Sequence, residues 1–186
     1  MKGIEEVVCE KLNTITSRGE RILENGTRLI SPAPKIAPQA WHYVLFAPLS
    51  VTTIEAIERE LSTPFPNDLR SFFQSWNGLK LFGYQMQVWG KRNRYVRVGD
   101  EAWQPFDLVA LNQASERPTG SPGSVVFFGS LYDDWIFFER TGDGKTRIGR
   151  TGRKFFHPEE YWPSFDTWFE KSFHNFWNQY EVAFSN

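Results

Sequence analysis

The segment Gly123-Ser-Val-Val-Phe-Phe-Gly-Ser-Leu-Tyr-Asp-Asp-Trp-Ile-Phe-Phe-Glu-Arg-Thr-Gly-Asp-Gly-Lys-Thr-Arg-Ile-Gly-Arg150 decides the fold class. Short apolar, aromatic and β-branched runs are cut by turn-forming residues, which is the pattern of consecutive strands rather than a helix. Val125–Phe128, Trp135–Glu139 and Lys145–Arg150 read as strands. Thr141-Gly142-Asp143-Gly144 is a turn between the last two. Upstream, residues 83–90 (GYQMQVWG) and 94–99 (RYVRVG) alternate as half-buried strands do, with Lys91-Arg92-Asn93 as the hairpin between them. Phe106 to Leu111 is either a short strand or a helical turn.

Helical spacing brackets this block. In residues 47–61, Val51, Ile54, Ile57 and Leu61 form one apolar stripe, and Ser50 or Thr52 can cap the helix, Thr52 with Glu55 at capping-box spacing. Pro64 and Pro66 close that helix. Asn67 can cap a second, whose stripe is Leu69, Phe72, Phe73 and Trp76, with Asn77-Gly78 suited to its C-terminal end. Pro163-Ser164 opens a last helix with a broad face of Phe165, Trp168, Phe169, Phe173, Phe176 and Trp177. Helix, helix, strands, helix implies an α+β fold: a mainly antiparallel sheet of about five or six strands flanked by helices. Alternating βα units are absent. The first 30 residues read as one or two short helices, and Pro32, Pro34 and Pro38 make an extended connector. We therefore divide the chain into an N-terminal helical extension with its connector (1–40) and an α+β domain (41–186).

The 186 residues carry 21 Lys+Arg against 22 Asp+Glu, a formal net charge of −1, which gives no global field for nucleic-acid binding. The single cysteine, Cys9, allows no internal disulfide and points to a reducing, cytoplasmic setting. No apolar run reaches the roughly 18–20 residues of a membrane span, and Glu5, Glu6 and Glu10 interrupt any signal-peptide core. Glu6 and Glu10 beside Cys9 raise its thiol pKa and disfavour a nucleophile. His42, His157 and His174 lie far apart, without metal-ligand spacing. Gly144-Lys145-Thr146 lacks the first glycine and the following helix of a phosphate loop. We expect no catalytic residues, no metal and no cofactor.

Two basic clusters remain, Lys91, Arg92, Arg94 and Arg97, then Arg140, Lys145, Arg147, Arg150, Arg153 and Lys154. They are a basic face for an acidic partner or, as we favour, ordinary outward strand positions. Eight tryptophans are many for one core, so Trp89, Trp103 or Trp135 is expected to be partly exposed.

Several segments, taken in order, resemble the SUKH superfamily, which is named partly after fungal cell-wall assembly regulators. They are PLSVTTIEAIEREL (48–61), PFPNDLRSFFQSWNG (64–78), LFG (81–83), PFDLVALN (105–112), VVFFGS (125–130), DDWIFFERTGDGKTRIG (133–149) and WPSFDTWF (162–169), together spanning about residues 45–180. The resemblance implies binding without catalysis. Bacterial members are mostly immunity proteins that neutralise a cognate toxin, often a nuclease, and fungal members are regulatory scaffolds. The partner implied is a cognate toxin protein, with no membrane and no direct nucleic-acid contact. The alternative is a regulatory scaffold module unpaired with a toxin. A net charge of −1 departs from the strongly acidic surface of many nuclease inhibitors, so local groups (Asp100, Glu101, Asp133, Asp134) would have to serve. The candidate partner-binding residues are Tyr132, Asp133, Asp134 and Trp135, with Trp103. The competing reading makes the rings core and the carboxylates solvated. On the binding reading, Asp134→Arg weakens the partner without lowering Tm.

Overall fold

Strand pairing runs strictly in sequence order. The computed structural model describes residues 3–184. Its strands form one sheet in the order β1 to β9, every neighbour antiparallel. They are β1 (Glu20–Ile22), β2 (Arg28–Pro32), β3 (Trp41–Leu45), β4 (Leu79–Leu81), β5 (Met86–Val88), β6 (Val126–Leu131), β7 (Asp134–Arg140), β8 (Thr146–Thr151) and β9 (Pro158–Trp162). The helices are α1 (Ile4–Asn13), α2 (Val51–Glu60), α3 (Asn67–Ser75), the single turn α4 (Leu108–Leu111) and α5 (Phe165–Phe184). The chain is therefore α+β with an antiparallel sheet, as expected, but with nine strands among the described residues instead of five or six.

The additional strands come from stretches with weak local signals. Helical spacing holds only to α1. Residues 20–30, expected to be helical, form β1, a turn and the start of β2, and the proline-rich connector supplies the end of β2 and the loop from β2 to β3, closed by Ala33 N–H donating to the Ala40 carbonyl at 2.7 Å. Because β2 pairs with β3, the sheet runs unbroken across residue 40. Conversely, residues 94–99 form no strand and 91–93 no hairpin. Alternation is a local property, whereas a strand needs a partner edge, and β6 takes the edge of β5 that the hairpin would have used.

Ser50 is the cap of α2, its hydroxyl accepting from Thr53 N–H. Asn67 is inside α3 and makes no cap; its neighbour Asp68 instead accepts from the backbone N–H of Phe165 (2.7 Å) and Asp166 (3.3 Å), tying the start of α5 to α3. Gly78 has φ +84°, and a Cβ there would overlap the Val88 carbonyl oxygen. Two asparagine side chains act as substitute peptide groups. Asn77 pairs with both the N–H and C=O of Lys91 (2.6 and 2.7 Å), and Asn112 with both of Phe127 (2.9 and 2.7 Å) at the irregularity of β6. Each replaces a ladder bond where a strand partner is missing.

α1, α2, α3 and α5 all cover one face of the sheet. The α5 aromatic face is buried throughout, Phe165 and Trp168 packing on Phe128 (5.6 and 5.2 Å between ring centroids) and Phe176 stacking on Phe82 (5.2 Å). At about 150–250 Å² per ring, these contacts dominate the burial that holds the two layers together.

Candidate functional site

Successive residues of a strand point to opposite faces, so the register fixes what the face opposite α1, α2, α3 and α5 carries, here the helix-free face, although the single turn α4 borders it. One row runs across it: Val44, Lys80, Gln87, Ser130, Trp135 and Thr151, each paired with the next. The row changes character along its length. At Val44 it joins a small apolar cluster with Leu23, Leu29 and Phe46. At Trp135 it joins rings, with Trp89 at 4.7 Å and Phe127 at 5.2 Å. Alongside, Gly149 leaves space for the Phe137 ring, which a Cβ would overlap. Between the two apolar ends stand the polar residues Lys80, Gln87 and Ser130.

Over Gln87, Ser130 and Trp135 of this row lies a cleft of about 230 Å³. Its floor is Gln87, Ser130 and Trp135; Trp89, Phe106 and Leu111 form one wall, and Tyr132, Asp133 and Arg153 the other. Tyr132 and Asp133 are the two-residue turn between β6 and β7. Tyr132 sits at φ +52°, a conformation that costs a side-chain-bearing residue about 1–2 kcal/mol. Its N–H donates to the Gln85 carbonyl at 2.6 Å, and its ring, 53% exposed, leans on Phe176 at 5.0 Å. Asp133 and Arg153 are exposed and make no ion pair among the described residues.

Lys80 borders the cleft through Phe106. Its ammonium lies 4.8 Å from the Phe106 ring centroid, 5.3 Å from Tyr84 and 5.8 Å from Phe46. Among the described residues it has no carboxylate or hydrogen-bond acceptor. Burial, helped by the nearby positive charge of Arg92, lowers its pKa to about 8. Opposite it on β5, Gln87 donates through Nε2 to the Tyr84 carbonyl at 3.0 Å, while its Oε1 is buried without a donor.

The structure brings together Tyr132, Asp133 and Trp135 of the sequence candidates and separates the other two. Trp135 is only 6% exposed, a cleft floor and not a protruding anchor, and Trp89 is buried against it. Asp134 points to the helix-covered face, where Arg150 donates to it from Nε (2.8 Å) and Nη2 (2.5 Å). Asp134→Arg therefore removes an ion pair as well as changing the surface. Trp103 packs half-buried on the small apolar cluster, and its carbonyl accepts from Asn25 and Thr27. The other local acids are occupied, Asp100 by Arg21 and Glu101 by Arg94. Much of the basic surface is neutralised too, with Lys91 on Glu60, Arg147 on Glu139 and Lys145 on Asp143.

Lys80, Gln87 and Phe106 were not among the candidates, and Arg153 entered only as a member of the second basic cluster. The only trace in the sequence is Lys80 flanked by Leu79 and Leu81, a charge at a strand position whose burial depends on rings from three other segments. Cys9 is half-buried, and burial first, then Glu5, raises its thiol pKa. No group of three or more His, Cys, Asp or Glu able to hold a metal occurs among the described residues. No helix among them is long and apolar enough to cross a membrane.

No curated protein matches the chain. Residues 48–171, which include every residue lining the cleft, match the family described as SMI1 / KNR4 (SUKH-1).

Proposed function

We propose that this chain, which belongs to the SMI1 / KNR4 family (SUKH-1), is an immunity protein that neutralises a cognate bacterial toxin by direct, stoichiometric binding. The family is generally one of non-enzymatic binding domains, and the finer reading rests on the cleft of the helix-free face. There two charges that make no ion pair among the described residues, Asp133 and Arg153, stand over a floor of packed tryptophan, and the exposed, backbone-constrained turn residue Tyr132, its ring leaning on Phe176 of α5, stands at the rim where the two faces meet. Rigid aromatic anchors with charges at the rim are what protein recognition uses: the ring supplies affinity and the charges discriminate between partners. That juxtaposition is the observation that carries the proposal.

The test begins with co-purification from the native host and identification of the bound protein, followed by titration of purified chain with that protein. The expected result is a 1:1 complex with a toxin that loses activity on binding, weakened about tenfold or more by Tyr132→Ala. A bound protein of the cell-wall assembly machinery, with no toxin, moves the assignment to the regulatory-scaffold alternative. A toxin complex indifferent to Tyr132→Ala and to Arg153→Glu removes the cleft from the account.

A further inference from the structure

We propose that the cleft receives an acidic segment of a protein partner, one carboxylate seated against the Lys80 ammonium and a neighbouring backbone N–H donating to Gln87 Oε1. This rests on the reading of the chain as a protein-binding domain and adds the partner's charge and the atoms that meet it.

Two complementary deficits lie side by side. Lys80 is a buried cation surrounded by the faces of Phe46, Tyr84 and Phe106. Aromatic faces attract a cation but do not replace a counter-charge. Gln87 Oε1 is a buried acceptor with no donor, a group that is costly to leave unmet. The two residues are direct cross-strand partners, so their Cβ atoms lie about 4.5–5.5 Å apart. A group that supplies an anion and, a few ångströms away, an N–H satisfies both. An aspartate or glutamate with its flanking peptide has that form, whereas a phosphodiester backbone offers acceptors only.

The surroundings have the matching sign. Arg92 adds positive charge near Lys80, and Arg153 lines the far wall. Asp107 is engaged by the N–H groups of Arg92 and Ala110, leaving Asp133 as the acid on the cleft rim. Phe106, 44% exposed, both lines the cleft and covers Lys80, so it is the ring that shifts when the carboxylate enters.

The experiment uses the full chain and a blocked hexapeptide alternating Asp and Ser, with the Asn-for-Asp peptide, inorganic phosphate and a short single-stranded DNA as comparators. Binding is followed by calorimetry and by amide chemical shifts. The acidic peptide is expected to bind at millimolar concentration or below, shifting Gln87, Phe106 and Ser130, and to bind about tenfold more weakly to Lys80→Met. Gln87→Leu, which removes the unmet acceptor without disturbing Lys80, is expected to weaken it several-fold. Equal binding of the Asn peptide, equal binding by Lys80→Met, no binding of the acidic peptide, or tighter binding of phosphate or DNA each overturns the proposal. A toxin held as tightly by Lys80→Met as by the wild type would overturn this contact while leaving the protein-binding reading intact. Conversely, Lys80-dependent peptide binding in a chain whose native partner is not a toxin supports the contact and removes the immunity assignment.

Discussion

The two faces of the sheet are built to different standards of closure. On the helix-covered face, Phe82, Phe128, Phe165, Trp168 and Phe173 are essentially fully buried, and the ring contacts continue from α3 through the sheet to α5. Charged groups at that face's margin are matched, Asp134 with Arg150 and Glu160 with Lys171. On the other face the middle row holds a lysine without a counter-ion and a glutamine with an unmet oxygen among the described residues, beside an open cleft. Stability is concentrated where packing is complete. The covered face also leaves the indole N–H groups of Trp162, Trp168 and Trp177 without an acceptor among the described residues, but these are sealed beneath packed rings, whereas the incomplete groups of the other face lie beside an open cleft where a partner from outside can reach them.

The contrast predicts a graded series of responses. Phe128→Ala empties the centre of the covered face and is expected to cost about 3–5 kcal/mol in chemical unfolding; a loss below about 1 kcal/mol would show that the two layers are not close-packed there. Asn112→Ala leaves the N–H and C=O of Phe127 without their partner, for an expected loss of about 2–3 kcal/mol.

Lys80→Met should act in the opposite direction. At neutral pH the buried ammonium carries a desolvation penalty of roughly 3 kcal/mol, partly offset by the three rings, so the variant is expected to gain about 1–2 kcal/mol. The sign with pH follows from a folded pKa of about 8 against 10.5 for the free side chain. Below pH 8 both states hold the proton and the penalty is complete. Between pH 8 and 10 the unfolded chain still holds a proton that the folded chain has released, so stability rises with pH. Tyr84, the titratable group facing Lys80, has its phenol pKa raised by burial and stays protonated through that window. Above pH 10 the buried phenols of Tyr84 and Tyr180, whose pKa values are raised, act in the reverse sense. Wild-type stability should therefore climb between pH 8 and 10, whereas that of Lys80→Met should not climb and should fall slightly, because the raised thiol pKa of Cys9 acts in the reverse sense there, as read from urea midpoints. The smallest effect belongs to Arg147→Ala, a solvent-facing pair with Glu139, at about 0.5 kcal/mol or less in the same assay.

What the sequence revealed divides along similar physical lines. α2 and α5 were legible because an apolar stripe and a start signal agree within each segment, and α3 by its stripe and the prolines before it, although Asn67 does not cap it. β7, β8 and the turn joining them were legible because glycine-rich turn chemistry separates two apolar runs. β1 was hidden because all three of its residues are exposed, so no alternation marks it. β9 begins at a proline and carries two adjacent glutamates. Residues 94–99 alternate without a partner edge to pair with. Of the candidate residues, Tyr132, Asp133 and Trp135 come together because they stand at one turn, and Asp134 faces away from the cleft because adjacent strand residues point to opposite faces. The roles of Lys80 and Gln87 depend on rings and a strand brought from elsewhere, which no local pattern encodes.

The most direct test is amide hydrogen exchange of the full chain with and without its purified partner. Binding at the helix-free face predicts new protection at residues 85–90, 105–108, 130–135 and 152–154, with the solvent side of α5 unchanged. Protection confined to α2, α3 or α5, with those segments exchanging as in the free chain, would contradict it.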